Sequence, residues 1–180
     1  MLSNLNSLLS TLKQRDKEDN MPNLYIMCGL PGSGKSTWIK NHIKPGTAVI
    51  SRDAIRFSLL GENDAYFSKE KLVEQTMYDW VNGSLSDGRD VVLDQTSTSL
   101  YARRKILKNI TGYDKIGIIW VKTPFEEALK RNDGRKGRAY VPYSSMLSMR
   151  DNFIEPSLDE GFDFIFKYEN DKMTWKGNIK

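Results

Sequence analysis

The sequence holds one cysteine and one histidine in 180 residues, and each scarcity excludes something. Cys28 on its own makes no internal disulfide and no cysteine-based zinc site, which suits a reducing cytoplasm. His42, the sole histidine, cannot complete a metal cluster or a catalytic triad and is expected to be solvated on a helix. No apolar run approaches the roughly 18 residues of a membrane span, so no membrane association is expected. The N-terminus does not read as a secretory signal, because Ser, Asn and Thr interrupt its leucines and the basic residues follow them. Neither sign of charge dominates: 27 Lys and Arg face 23 Asp and Glu, for a net charge of +4. That mild excess admits an anionic partner such as nucleic acid without requiring one. With 39% hydrophobic and 28% charged residues, the chain is expected to be one globular, cytoplasmic domain.

What is present is an alternation of short apolar runs with helical patterns. Residues 1–22 stand apart as an extension in which Leu2, Leu5, Leu9 and Leu12 recur at heptad-like spacing. This stripe is a candidate surface for homo-oligomer formation; the plainer alternative is a helix packed on the domain, since two heptads fall short of a coiled coil. Residues 23–180 are then the domain proper. Strands are predicted at 24–28, 47–51, 90–94, 115–122 and 162–168, with helices at 35–43, 53–60, 68–85, 99–110, 124–131 and from Pro142 to about 154. Apolar strands alternating with helices imply an α/β fold: a five-stranded parallel sheet with helices on both faces, in three layers. Trp38, Trp80, Trp120 and Trp175 are expected in the core rather than as stacking platforms.

The sharpest signal is Gly29-Leu30-Pro31-Gly32-Ser33-Gly34-Lys35-Ser36, which matches G-x-x-x-x-G-K-[ST] between a predicted strand and a predicted helix. Glycines let the backbone curl so that several N–H groups converge on phosphate oxygens, and the following helix adds the positive end of its dipole. Lys35 is expected to reach the β- and γ-phosphates and Ser36 to ligate Mg²⁺. Gly29, Pro31, Gly32, Ser33, Gly34, Lys35, Ser36 and Thr37 are therefore candidate ATP-binding residues. The loop alone does not separate kinases, GTPases and ATPases. No N-K-x-D segment for guanine follows a later strand, and a large motor would need more chain.

Ser51-Arg52-Asp53-Ala54-Ile55-Arg56 follows the second predicted strand. The end of a parallel strand delivers residues to the ligand crevice. Asp53 there is a candidate base for an attacking hydroxyl. Arg56, one helical turn on, faces the same way and suits an anionic group of the acceptor. The competing reading makes Asp53 a simple helix cap. Further on, Lys130, Arg131, Arg135, Lys136 and Arg138 crowd around Gly134 and Gly137. A flexible basic loop at about 131–142 can close as a lid over a triphosphate and neutralise charge that develops in transfer; the competing reading is a solvated basic loop.

With "GLPGSGKSTW", the "RDxxR" block, "DQTSTSLYARR" after strand three and "RNDGRKGRAYVP" before a helix, the sequence resembles the 5′-kinase domain of the phage-type polynucleotide kinase family over roughly residues 24–154. The resemblance implies a P-loop kinase-like fold and ATP- and Mg²⁺-dependent phosphorylation of the 5′-hydroxyl ends of DNA or RNA, in nucleic-acid end repair. It implies that Lys35 and Ser36 hold ATP and Mg²⁺, that Asp53 is the general base, and that Arg56 grips the phosphate 3′ to the acceptor nucleoside. Arg52 is implied as a further acceptor contact, Thr96 as a lining of the acceptor site, and Asp94 as an orienter of the water around Mg²⁺. Asp94 as a solvated strand end stays open, because the family's Asp-Thr-Asn reads Asp94-Gln95-Thr96-Ser97 here and Arg103-Arg104 are displaced. The family's lid arginine matches Arg135 best, with Arg131 beside it as a second ATP contact; Lys136 or Arg138 are alternatives because the loop is one residue longer. No D-x-D-x-T phosphatase motif appears, so a kinase module alone is expected. The remaining readings are a P-loop kinase of a small molecule (nucleoside, nucleotide, sugar or antibiotic) and a nucleotide-switched binding module.

Overall fold

A computed structural model describes residues 21–177; the leucine stripe lies outside the described residues. The elements run β1 (Leu24–Cys28), α1 (Lys35–His42), β2 (Ala48–Ser51), α2 (Arg52–Leu59), α3 (Glu70–Ser86), β3 (Val91–Asp94), α4 (Leu100–Asn109), β4 (Ile116–Val121), α5 (Phe125–Asp133), α6 (Tyr143–Asp151), β5 (Phe164–Glu169) and β6 (Lys172–Gly177). Short 3₁₀ turns lie at Gly137–Ala139 and Leu158–Glu160.

The sheet order is β2-β3-β1-β4-β5-β6. The five predicted strands are present and parallel. The sheet also gains a sixth strand, absent from the sequence expectation: β6 runs antiparallel to β5, pairing Phe164 with Gly177 and Glu169 with Lys172. Alternation along the strands sorts the core into two layers. Leu24, Ile26, Val91, Leu93, Ile116 and Ile118 face Val73, Met77, Val81 and Leu85 of α3 and Ile106 of α4. Met27, Val92, Ile119 and Val121 point to the opposite face, onto Trp38 and Ile39 of α1. Each such apolar side chain contributes about 1.5–3 kcal/mol when fully buried. Covering both faces is what allows the near-continuous apolar strands the sequence shows.

Several sequence expectations shift. Trp38 and Trp120 are buried, but Trp80 and Trp175 are exposed, so only two tryptophans belong to the core. The buried stripe of α3 is Val73, Met77, Val81 and Leu85, and it leaves Leu72 and Trp80 on the outer side. Pro142 is the cap residue rather than the first residue of α6. That helix stops at Asp151 because Ile154 donates its N–H to Thr98 O at 3.0 Å and Pro156 follows, which disfavours helix before it. No helix among the described residues is long and apolar enough to cross a membrane.

Candidate active site

The loops that leave β1, β2 and β3 emerge side by side, because β1 lies next to β3 and β3 next to β2. The loop after β1 wraps into a nest. Gly32 has φ 78, and a Cβ there would lie 2.2 Å from Ala128 O, so backbone and helix α5 touch where only glycine fits. Gly34, φ 98, caps α1 in the left-handed region. Gly29 N donates to Thr96 O at 2.9 Å, tying the loop to the end of β3. Thr123 Oγ1 donates to Ser33 O at 2.8 Å. Lys35 Nζ donates to Gly29 O and Leu30 O at 2.9 and 2.8 Å, which holds the ammonium against the loop.

A cavity of about 620 Å³ opens over this nest. Gly32, Ser33, Gly34, Lys35, Ser36 and Thr37 line one side, and Arg131 and Arg135 line another. His42 and, from the β5–β6 hairpin, Tyr168, Asn170 and Asp171 also line it. His42 is exposed, as expected, and its ring stacks on Trp38 at 4.6 Å with the Tyr168 ring edge-on at 5.9 Å. Ser33 Oγ is buried without a hydrogen-bond partner in the protein. An orphaned buried hydroxyl in an amide-rich, lysine-bearing cradle suits phosphate oxygens. Pro31 is buried behind the loop.

Ser36 Oγ donates to Asp94 Oδ2 at 3.2 Å. Two hard oxygens side by side beside a phosphate cradle suit Mg²⁺, which keeps much of its water and takes few protein ligands. Among the described residues no group of three or more His, Cys, Asp or Glu could hold a metal, so a phosphate-bridged ion is the kind these donors fit. Asp94 is half-buried rather than a solvated strand end, and burial raises its pKa while Lys35 and Ser36 oppose the rise.

Asp53 does not cap α2. The cap is Ser51, whose Oγ accepts from Ala54 N at 3.4 Å, so the carboxylate one residue into the helix is left for other work. It forms an ion pair with Arg56 and accepts from Tyr66 Oη at 3.3 Å, and its side chain is 63% exposed. Arg56 is 5% exposed. Its Nε and NH2 donate to both oxygens of Glu70 at 3.0–3.2 Å, and NH1 donates to Asp53 and to Tyr66 Oη. Arg52 also donates to Glu70, and to Gln95 Oε1 at 3.4 Å. Burial pushes the Glu70 carboxyl up, but hydrogen bonds from Arg52 and then the charges of both arginines bring it below the usual range. Glu70 and Tyr66 thus organise the acid–arginine pair, and neither stands out in the sequence. Only their proximity to α2 in a folded α2–α3 hairpin reveals them.

The remaining predicted residues divide. Thr96 brings its backbone carbonyl to the loop and is half-buried. Arg103 is fully buried, and Arg104 is exposed. In the basic stretch, Arg135 lines the cavity, and its charge lowers the Lys35 and Asp94 pKa values as a minor contribution beside burial. Arg131 pairs with Glu127 and lies 3.5 Å from Gly32 O. Arg138 instead reaches the turn after α2, donating to Gly61 O at 2.6 Å and Glu62 O at 3.1 Å. Lys136 is exposed and is not part of the cavity lining. Of Arg135, Lys136 and Arg138, Arg135 is the one that lines the cavity.

Burial lowers the Lys35 pKa to about 8, with Asp94 and Asp53 pulling it back up. Below that value the free protein carries the ammonium a triphosphate needs; above it a proton must be taken up on binding. ATP affinity is expected to be flat below about pH 8 and to weaken by up to about tenfold per unit above it. Calorimetric titrations on both sides of that pH check this, and constant affinity across the range would remove Lys35 as the titrating contact.

The family described as an AAA domain matches residues 24–156. A protein of Acanthamoeba polyphaga mimivirus with the provisional name bifunctional polynucleotide phosphatase/kinase is 31% identical over 161 residues, covering 85% of this chain and 33% of its own. A chain in the structure of the Pnkp1/Rnl/Hen1 RNA repair complex superposes with a TM-score of 0.66 at 25% identity, over 77% of this chain and 46% of that one. A sugar kinase from Janibacter sp. HTCC2649 shares the fold, with a TM-score of 0.57 at 16% identity over 82% and 85% of the two chains. The chain thus spans about a third of the viral relative and under half of the repair-complex chain.

Proposed function

The chain belongs to the AAA domain family, and from that premise we propose that it is an ATP-dependent kinase of 5′-hydroxyl ends of DNA or RNA. The observation that carries this is the Asp53–Arg56 pair at the end of β2, beside a lysine-bearing phosphate nest and the Ser36–Asp94 oxygens. The names of the viral relative and of the repair complex support the polynucleotide acceptor.

The loop amides, Ser33 and Lys35 receive the triphosphate, and the nucleoside runs toward the Tyr168–Asp171 end of the cavity. Ser36 and Asp94 are the residues that would hold Mg²⁺, which when bound would neutralise phosphate charge. Asp53 accepts the proton of the 5′-hydroxyl as the hydroxyl oxygen bonds to the γ-phosphorus and the bond from that phosphorus to the β–γ bridging oxygen breaks, releasing ADP. Arg135 faces the charge that spreads over the transferring group. Each nitrogen of Arg56 already donates within the protein, so an acceptor phosphate shares it with Glu70 or Tyr66. Catalysis here is positioning and electrostatics.

Incubation with γ-labelled ATP, Mg²⁺ and 5′-hydroxyl DNA or RNA oligonucleotides is expected to label the oligonucleotide 5′ end. Label found only in nucleosides or sugars would instead make the chain a small-molecule kinase. ATP-dependent capture of a partner with no transfer to any acceptor would make it a switch.

A further inference from the structure

The segment between α2 and α3 is tied down from several sides. Gly61 N donates to Asp64 Oδ2 at 2.8 Å, and Lys69 Nζ bonds both Asp64 Oδ2 and Leu59 O, at 2.8 and 2.7 Å. Ser68 N donates to Ala65 O at 3.0 Å, Glu70 N to Phe67 O at 3.2 Å, and Arg138 clamps the carbonyls of Gly61 and Glu62 from the far side of the cleft. On this turn Phe67 is 68% exposed, the one phenylalanine among the exposed large apolar residues described. Its ring is not idle in position. It meets Tyr66 edge-on at 4.7 Å, and the Arg56 guanidinium lies 5.6 Å from its centroid. Tyr66 in turn touches Asp53. A rigid loop therefore holds an apolar ring in water one side chain away from the acid–arginine pair.

We propose that Phe67 is a stacking platform for one of the two bases flanking the acceptor phosphate at Arg56, and hence that the acceptor is engaged as an unpaired, splayed 5′ end. This rests on the polynucleotide-kinase reading above. The physical basis is that every base has a π-face, while a ring this exposed leaves most of its apolar area in water until something covers it. The Arg56 guanidinium beside the ring matches a phosphate that flanks a base, and the turn's hydrogen bonds reduce the loop ordering needed when the ring is covered. Stacking on a flat ring tolerates any sequence, so the platform supplies affinity for a single strand without base preference.

The test uses a fluorescent 5′-hydroxyl single-stranded oligonucleotide and two copies of it, with an abasic site at the first or the second position. Binding is read by anisotropy and transfer by γ-labelled ATP. Phe67→Ala is expected to weaken binding of the intact strand about tenfold. Phe67→Trp is expected to restore it, and one of the two abasic strands should no longer distinguish Phe67→Ala from the native protein. Equal binding of the intact strand by Phe67→Ala and native protein would overturn the platform, as would a loss of the same size on all three strands. The two failures are separable. Base-dependent binding through Phe67 with no transfer to any strand would overturn the kinase reading and leave the platform standing. Transfer that ignores Phe67 would overturn the platform alone, and a native protein that neither binds nor phosphorylates the strand would overturn both.

Discussion

Asp53→Asn is expected to bind ATP as the native protein does and to transfer its γ-phosphate to a 5′-hydroxyl about 10²–10⁴ times more slowly. Asparagine keeps an oxygen that can accept from Arg56 and Tyr66 but cannot take a proton. The substitution is also mild for the fold, because Ser51 rather than Asp53 caps α2 and the Asp53 side chain is 63% exposed. Arg56 keeps both oxygens of Glu70 as partners, so the melting temperature should barely move. Single-turnover transfer with saturating ATP, measured beside a thermal melt, separates chemistry from stability. A rate within a few-fold of native would remove Asp53 from the base role.

The second large effect is on stability. Arg103 is wholly buried and Glu160 nearly so, at 0% and 7% side-chain exposure, and they pair in two places at 2.6 and 2.8 Å. Arg103 also donates to Ser97 O and Ile154 O, both at 3.0 Å, and Glu160 accepts from Ser157 N. Removing one partner leaves a buried charge, so Glu160→Ala is expected to cost about 3–5 kcal/mol. At this chain length that lowers the melting temperature by roughly 6–20 °C. Replacing both partners, as Arg103→Met with Glu160→Leu, is expected to recover much of the loss, since apolar groups of similar volume need no pairing. A melt of Glu160→Ala within a degree or two of native would show that water satisfies Arg103 and that the pair is not structural.

The phosphate loop is legible in the sequence because its chemistry is contiguous: eight residues in a row carry the glycines, the lysine and the hydroxyl. Asp53 is legible because parallel strands deliver the residues after them to one edge. Glu70 is not, since its meaning depends on α3 folding back against α2. Arg103 misleads for a related reason: the resemblance places an arginine pair there, but its partner lies 57 residues away and turns it into core. The sixth strand does have a local signal. Asn170 and Asp171 both adopt positive φ in a two-residue hairpin turn, the conformation such residues favour. The polar alternation of "KMTWKG" is too weak to read as strand because only one of its faces packs. The hairpin carries one wall of the nucleotide cavity, so a reading without the strand also lacks that wall.

That last strand ends the sheet on one side, and no other strand pairs with it among the described residues. A sheet margin is a template for a neighbouring molecule's backbone, and proteins that persist at high concentration blunt it with charge. Lys172 and Lys176 lie along this margin, on the face of the strand opposite Trp175. Two ammonium groups there discourage a second molecule from adding its own strand.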